Sequence, residues 1–127
     1  MKKILFSIVV TSYNSSKYIK KTLISLLNQS FKNFEVVLVD DGSTDNTISI
    51  AKKFKQQNKL KIKIIELLHK SSPARSRNVG ILNSKGKYIC FLDADDLFHK
   101  NKLFELNKTI KFNNLDVYYH NVILKHK

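Results

Sequence analysis

The 127-residue sequence contains one cysteine, one proline, three glycines and no tryptophan. A single cysteine, Cys90, excludes an internal disulfide. The four histidines show no spacing typical of metal ligands. No apolar run approaches the roughly 18–20 residues that span a bilayer. These absences leave a chain whose length suits one domain with one hydrophobic core.

Acidic residues are also scarce, because 10 Asp and Glu face 23 Lys and Arg and give a formal net charge of +13. A basic chain favours anionic partners such as nucleic acid, anionic lipid or phosphorylated substrates. The lysines are scattered rather than interleaved with aromatics, so a nucleic-acid partner is not expected. General over-use of lysine explains much of the charge. Peripheral contact with an anionic membrane is the functional alternative.

The N-terminus begins like a secretory signal, since Met1-Lys2-Lys3 precedes the apolar run ILFSIVV. That run is short, Ser7 interrupts it, and no small-x-small cleavage site follows. A buried first strand explains the segment better. Together with the single cysteine, this predicts a cytoplasmic protein, either free or at the cytoplasmic face of the membrane.

Hydrophobic periodicity alternates between strand-like and helix-like segments. The predicted strands are Ile4–Val10, Glu35–Val39, Leu60–Leu68, Lys87–Leu92 and the start of a fifth at Leu115–Tyr119. The predicted helices begin at Ser15 or Ser16, Ser43 or Thr44, Ser72 and Asn101. This alternation predicts an α/β fold with a Rossmann-like, mostly parallel sheet and helices on both faces. Right-handed crossovers favour the strand order 3-2-1-4, with a switch point between strands 1 and 4.

Polar residues collect at the carboxyl ends of three predicted strands, in the segments Thr11–Asn14, Asp40–Asp41 and Asp93–Asp96. Because ligands of open parallel sheets bind beyond these ends, we expect the three segments to face one crevice. Five carboxylates gathered there would repel one another unless a cation or hydrogen-bond donors offset their charge. The pattern therefore predicts a ligand site.

The run Asp93-Ala94-Asp95-Asp96 is the sharpest feature of that site. Hard divalent cations prefer oxygen ligands, and Mg²⁺ usually takes one or two carboxylates together with substrate phosphates. Such a metal would neutralise a diphosphate and help it leave. The alternative is a solvated turn with an aspartate helix cap, which the aspartates after the second strand make less attractive.

Two residues of the other segments suit a nucleobase. Asp40, at the end of the second strand, could accept hydrogen bonds from a base edge, whereas Asp41 is explained by an Asp-Gly turn. Tyr13 could stack on a base or be a partly buried loop tyrosine, and without further context the two interpretations are equal.

The only two arginines, Arg75 and Arg77, lie in one short segment of the third helix. Arginine suits phosphate or base-edge recognition through its fork of donors, although a surface position is the alternative. The predicted apolar stripe of this helix contains Ala74, Asn78, Ile81 and Leu82, so Asn78 is expected to bond the aspartate loop internally.

With these residues in place, the chain resembles the family 2 glycosyltransferases, which have the GT-A fold. The resemblance is carried by the segments Ser7–Thr47, Ala74–Ile81 and Gly86–Asp96 and by the helix that follows. The order and spacing of the set are specific, and it covers nearly the whole chain. One departure is Ser12, where many members have proline before the tyrosine.

The resemblance implies a donor site for a nucleotide-diphospho-sugar, with UDP as the expected nucleotide and Mn²⁺ or Mg²⁺ as the cofactor. It places Thr11 and Tyr13 against the base, gives Asp40 the bond to the base and sets Arg77 beside the donor. It makes Asp93 and Asp95 the DxD pair, with Asp95 as the direct metal ligand. Asp96 is a companion of undefined role.

The resemblance also implies what is missing. Family members usually continue well beyond the DxD region into a part that supplies acceptor contacts and a catalytic base. Only Glu105 and Asp116 follow the aspartate run here, and neither matches that base, which therefore stays unassigned. We accordingly expect residues 1–127 to form one GT-A donor-binding domain, incomplete at its C-terminal end. Exposed apolar surface there, and with it a homodimer, is a further expectation.

Two functional hypotheses remain. In the first, the chain is a glycosyltransferase domain that transfers a hexose to a glycan or lipid-linked acceptor during polysaccharide synthesis. In the second, it is a binding module that holds the nucleotide sugar without transfer. A dinucleotide oxidoreductase is excluded because no G-x-G-x-x-G follows the first strand. The segment Gly80–Lys87 has one residue too many for a P-loop.

Overall fold

The computed structural model describes residues 3–113 and 116–117, in which strands and helices alternate along the chain. The strands are β1 (Phe6–Ser12), β2 (Phe34–Asp40), β3 (Ile62–Glu66) and β4 (Tyr88–Asp93). The helices are α1 (Ile19–Leu27), α2 (Thr47–Gln57), α3 (Pro73–Leu82) and α4 (Lys102–Asn113). The alternation and the number of elements match the prediction for this part of the chain.

The four strands form one parallel sheet in the order β3-β2-β1-β4, which confirms the predicted topology. The register aligns the carboxyl ends of the three strands that carry the polar segments. Thr11 pairs with Asp93 of β4, and Ser12 pairs with Asp40 of β2. The switch point between β1 and β4 therefore lies directly beside the aspartate run.

Helices cover both faces of the sheet, as predicted. On one face, alternate residues of β1 and β2 pack with the apolar stripes of α1, α2 and α4 in the main core, which includes Ile8, Leu23, Leu38, Phe54 and Leu103. On the other face, α3 packs against β1 and β2. β1 and β2 are buried along almost their whole length because helices cover them on both sides.

The apolar stripe predicted for α3 is wrong. Its buried residues are Ser76 and Gly80, whereas Asn78 is exposed and does not occupy the interior position predicted for it. A Cβ added at Gly80 would lie 2.3 Å from Val9 Cγ1, so this glycine allows the helix to approach the sheet closely. Apolar residues therefore do not mark the contact face of α3.

Several predicted boundaries also move. β1 extends two residues further than predicted, so Thr11 and Ser12 are strand residues rather than loop residues. α1 and α2 begin at Ile19 and Thr47, and the residue directly before each of them makes no side-chain capping hydrogen bond. α3 begins as predicted, because the Ser72 side chain accepts a hydrogen bond from the Arg75 amide.

Two further features concern the surface. Within the described part of the chain, no helix is both long and apolar enough to span a membrane. Large apolar side chains are exposed on α3, β4 and α4, among them Leu82, Phe91 and Phe112. The strand predicted at Leu115–Tyr119 lies outside the described residues, except for Asp116 and Val117, which are not in a strand.

Candidate donor-binding site

A crevice of about 480 Å³ lies at the carboxyl ends of β1 and β4 and beside the start of α3. Five of the six residues predicted for the site line it, namely Thr11, Tyr13, Arg77, Asp93 and Asp95. The sixth, Asp40, does not line it. The parallel register explains the convergence, because residues that end neighbouring strands come together at one edge of the sheet.

Asp93 is the point where three elements meet. Thr11 Oγ1, at the end of β1, donates a hydrogen bond to Asp93 Oδ1 over 3.0 Å. Arg77 Nη2, from α3, contacts the same oxygen at 3.3 Å. The Arg77 guanidinium also lies 6.0 Å from the centre of the Phe91 ring. These contacts hold an arginine and a carboxylate side by side at the crevice wall.

The turn after β4 is held by hydrogen bonds to β1 and to helix α1. The Ala94 amide donates to Thr11 O over 3.0 Å, which continues the β1–β4 pairing into the turn. Thr22 Oγ1, fully buried on α1, lies 2.7 Å from Ala94 O and 2.9 Å from Asp96 O. A shared hydroxyl donor thus stabilises two carbonyls of the turn that presents Asp95. Thr22 was not among the predicted site residues.

Negative charge accumulates along this turn. Burial raises the pKa of the Asp96 carboxyl, and the charges of Asp95 and Asp93 raise it further. Among residues 3–113 and 116–117, no group of three histidine, cysteine or acidic side chains is arranged to hold a metal ion. Asp93 and Asp95 both line the crevice, and their carboxylates could hold a cation that takes its other ligands from bound substrate or water.

The paired aspartates after β2 lie differently from the prediction, which expected Asp40 rather than Asp41 at the crevice. Asp40 is 1% exposed, and its carboxylate accepts hydrogen bonds from Ser12 Oγ at 2.7 Å and from Ser43 N and Oγ at 2.7 and 2.6 Å. Asp41, which the sequence assigned only to a turn, lines the crevice. The physical reason is alternation, because adjacent residues at a strand end point to opposite sides.

Tyr13 lines the crevice with a stacked partner. Its ring lies 4.1 Å from the ring of His69, centre to centre, with an interplanar angle of 15°. Tyr13 is 45% exposed, so the stack leaves much of it open to solvent. His69 follows β3 and also lines the crevice. His69 was not among the predicted site residues, because no motif in the sequence connects it to the residues that it contacts.

The loop that carries Tyr13 is bound to the loop after β2. Asn14, with a φ of 45°, accepts a hydrogen bond from the Thr44 amide at 2.8 Å. The Ser16 amide donates to Asp45 Oδ2 over 3.0 Å. Burial raises the pKa of the Asp45 carboxyl, but hydrogen bonds from Thr47 and Ser16 outweigh it and lower the pKa to about 2. Asp45 is thus a charged tie between two loops of the site.

The remaining residues of α3 divide between support and crevice. Arg75 Nη1 donates to Leu68 O at 2.8 Å and lies 3.8 Å from Asp41 Oδ1, so it supports the segment that contains His69. Ser76 lines the crevice and is 2% exposed. Within the described residues, its hydroxyl is a buried side-chain oxygen without a hydrogen-bond partner.

A family model described as Glycosyl transferase family 2 matches residues 7–125. The chain belongs to glycosyl transferase family 2. The resemblance noted from the sequence is therefore confirmed, and the match covers all of the residues that line the crevice.

This family 2 chain is similar in sequence to glycosyltransferases from several bacteria. It is 35% identical over 113 residues to glycosyltransferase GlyG of Streptococcus pneumoniae, covering 89% of this chain and 37% of that protein. It is 40% identical over 115 residues to poly(ribitol-phosphate) beta-N-acetylglucosaminyltransferase TarS of Staphylococcus aureus, covering 88% of this chain and 20% of TarS. The chain thus spans well under half the length of these relatives.

Solved structures confirm the GT-A fold of this family 2 chain. The crystal structure of Staphylococcus aureus TarS 1-349 in complex with UDP-GlcNAc matches with a TM-score of 0.81 and 39% identity, covering 87% of this chain and 32% of that one. Mannosyltransferase PcManGT of Pyrobaculum calidifontis, in complex with GDP-Man and Mn2+, matches with a TM-score of 0.80 and 24% identity, covering 87% and 33%. The second likeness is one of fold.

Proposed function

We propose that this chain binds a UDP-sugar and a divalent cation in the crevice and acts in transfer of the sugar to an acceptor hydroxyl. The observation that carries the proposal is the group formed by Thr11, Arg77 and Asp93, with Asp95 beside it on the same crevice wall. The likeness to TarS, whose structure contains UDP-GlcNAc, supports a uridine nucleotide as the donor.

The donor atoms at the turn fit Mn²⁺ or Mg²⁺. Asp93 and Asp95 offer carboxylate oxygens, which hard divalent cations prefer, and both line the crevice. Two protein carboxylates leave coordination positions for phosphate oxygens. When bound, such a cation supplies neutralisation of the charge that develops on a departing diphosphate. Asp95 is our candidate for the direct ligand because Asp93 Oδ1 already contacts Thr11 and Arg77.

Arg77 is our candidate for the diphosphate contact. Its guanidinium has five donors, and the contact with Asp93 uses only part of them. The amino-terminal end of α3 also faces the crevice through Ser72 and Pro73. Backbone amides and the helix dipole favour an anion at such an end. The diphosphate would therefore lie between α3 and the aspartate turn.

The nucleobase would lie at the other end of the crevice. The exposed part of Tyr13 offers a face for stacking, and the Asp41 carboxylate can accept a hydrogen bond from a base N–H. We assign this second role to Asp41 rather than to Asp40, since Asp40 is buried in its bonds with Ser12 and Ser43. Asp40 instead stabilises the loop after β2 through its bonds with Ser43.

The proposed transfer uses this placement of the diphosphate. The acceptor oxygen forms a bond to the anomeric carbon while the bond from that carbon to the diphosphate oxygen breaks, and the hydroxyl proton leaves to a base. Arg77 and the start of α3 would stabilise the diphosphate that departs. A glycan or lipid-linked hydroxyl is the acceptor class we propose, in keeping with the poly(ribitol-phosphate) polymer in the name of TarS.

A comparison of nucleotides tests the donor assignment. We expect UDP to bind more tightly than GDP because the base end suits uracil, and more tightly than UMP because the second phosphate reaches Arg77 and the cation. Asp41→Asn is expected to remove most of the preference for UDP over GDP. Asp40→Asn is expected mainly to lower the stability of the fold, because the Asp40 carboxylate is buried in bonds with Ser12 and Ser43. Equal affinity for UDP and GDP in the wild-type chain would contradict the assignment.

The net charge of +13 supports a second, coarser proposal, which is peripheral contact with an anionic membrane surface at its cytoplasmic face. We expect the chain to sediment with vesicles that contain anionic phosphatidylglycerol and to lose this association as salt is raised. Equal binding to neutral phosphatidylcholine vesicles would contradict an electrostatic contact.

A further inference from the structure

The base end of the crevice contains a residue that no motif assigns. We propose that His69 is a positioning residue for nucleotide binding, which holds the Tyr13 ring and the Asp41 carboxylate together as one preassembled base site. The inference rests on the proposed function, because it concerns the same donor. It is carried by the contacts of the His69 imidazole with three segments of the chain.

The first contact is the ring stack. The rings of Tyr13 and His69 lie 4.1 Å apart and nearly parallel, at 15°. Without this partner, an exposed tyrosine on a loop would sample several rotamers and lose that freedom on binding a base. Stacking on His69 restricts Tyr13 before the ligand arrives. The part of Tyr13 that remains exposed is then available as a platform.

The second contact fixes Asp41. His69 Nδ1 lies 2.8 Å from the carbonyl oxygen of Asp41 and 3.1 Å from its Oδ2. A carbonyl oxygen only accepts hydrogen bonds, so Nδ1 carries the hydrogen. The Lys70 amide donates to the other carboxylate oxygen, Oδ1, at 3.2 Å. The Asp41 carboxylate is therefore held from the His69 side, while two oxygens with several acceptor positions leave capacity for a base N–H.

The third contact fixes the imidazole itself. His69 Nε2 lies 2.8 Å from Ser71 Oγ, and with Nδ1 bonded to Asp41 both ring nitrogens have a partner. The backbone of His69 also packs closely against Gly42. A Cβ added at Gly42 would lie only 2.7 Å from the His69 amide nitrogen. Gly42 has a φ of +75°, which also favours glycine there. The ring is thus a rigid support rather than a side chain that a nucleobase displaces.

The location of His69 agrees with this role. Tyr13 follows β1, Asp41 follows β2 and His69 follows β3, so the histidine joins the ends of three neighbouring strands. All three residues line the crevice. The diphosphate end, around Arg77 and Asp93, shares no hydrogen bond with His69 in the described part of the chain. Loss of His69 should therefore weaken recognition of the base and spare recognition of the phosphates.

Calorimetric titration with UDP and with inorganic pyrophosphate, both with Mn²⁺, separates these effects. We expect His69→Ala to weaken UDP binding by about fivefold to tenfold, the low end of the effect of losing a base stack. Pyrophosphate affinity is expected to stay unchanged. His69→Phe keeps the stack and His69→Asn keeps a donor toward Asp41, so each should lose less than alanine does. His99→Ala, the same change outside the crevice lining, is the matched control.

The outcomes separate the two proposals. If the wild-type chain binds UDP and His69→Ala binds it equally tightly, the role of His69 is overturned and the donor site stands. Equal losses for UDP and pyrophosphate would also overturn it, because that result indicates general damage to the crevice. If the wild-type chain binds pyrophosphate but shows no added affinity for UDP, the proposed function fails and the base site fails with it.

Discussion

The hydroxyl of Thr22 lies 2.7 Å from the carbonyl oxygen of Ala94, and this contact joins the buried stripe of helix α1 to the turn that presents Asp95. The same hydroxyl lies 2.9 Å from the carbonyl oxygen of Asp96. The geometry of the aspartate turn therefore depends on a residue of the core. A substitution of Thr22 should therefore alter the position of the aspartate turn.

Thr22→Val tests that dependence. Valine fills nearly the same volume but removes the donor, which leaves the buried Ala94 carbonyl oxygen without this partner at a cost of about 1–3 kcal/mol. We expect lower stability in urea unfolding and weaker Mn²⁺-dependent binding of UDP. Thr109→Val is the control, because the Thr109 hydroxyl donates to Glu105 O within its own helix and does not line the crevice. UDP affinity equal to wild type in Thr22→Val would show that the turn holds its shape alone.

Arg77→Lys is expected to weaken Mn²⁺-dependent pyrophosphate binding by about tenfold, since lysine keeps the charge but loses the planar fork of donors. Arg75→Lys is the matched change on the same helix. Arg75 contacts Leu68 O and lies near Asp41, so pyrophosphate affinity should remain unchanged in that variant. Equal losses in the two variants would contradict the assignment of the diphosphate to Arg77.

Gly80→Ala should destabilise the fold, because the added methyl would lie 2.3 Å from Val9 Cγ1 where α3 meets the sheet. Overpacking of this kind costs about 1–3 kcal/mol. Val9→Ala introduced into the Gly80→Ala chain makes room for the methyl and should recover part of the loss. Thermal unfolding of the two single variants and the double variant measures this. Strictly additive losses would contradict direct contact between the two positions.

Low pH should weaken the hydrogen bonds by which Asp45 joins the loop after β2 to the loop after β1. The pKa of Asp45 is lowered in the folded chain to about 2, below the ordinary value of 3.8, so its ionised form stabilises the fold above pH 4. That contribution is lost as pH falls from about 4 to about 2. We expect Asp45→Asn to be less stable than wild type at pH 7 and the difference to shrink toward pH 2. A difference that does not change with pH would contradict an ionic role.

Much of the fold was predictable because hydrophobic patterns identify buried strands and amphipathic helices. The alternation of the two, with right-handed crossovers, was enough to predict the order β3-β2-β1-β4. The failure at α3 has a physical cause, since its contact with the sheet is made by Ser76 and Gly80. Small residues that permit close packing are invisible to a search for apolar periodicity.

The site was predictable in part for a related reason. Thr11, Tyr13, Asp93 and Asp95 were predicted at the crevice because they lie at or just after the ends of parallel strands, which meet at one edge of the sheet. Which of Asp40 and Asp41 faces it depends on the last residue of β2, and a shift of one position exchanges them. The only sign of Thr22's role is its position, because it is a polar residue among the buried residues of α1.

The central claim is that the aspartate turn binds a cation together with a uridine diphosphate. Calorimetric titration of UDP into the wild-type chain, with and without Mn²⁺, tests it most directly when repeated with Asp95→Asn and with Asp116→Asn, an exposed aspartate outside the crevice lining. We predict Mn²⁺-dependent binding that weakens at least about tenfold in Asp95→Asn and persists in Asp116→Asn. Binding that is independent of Mn²⁺, or equally tight in Asp95→Asn, would contradict the account.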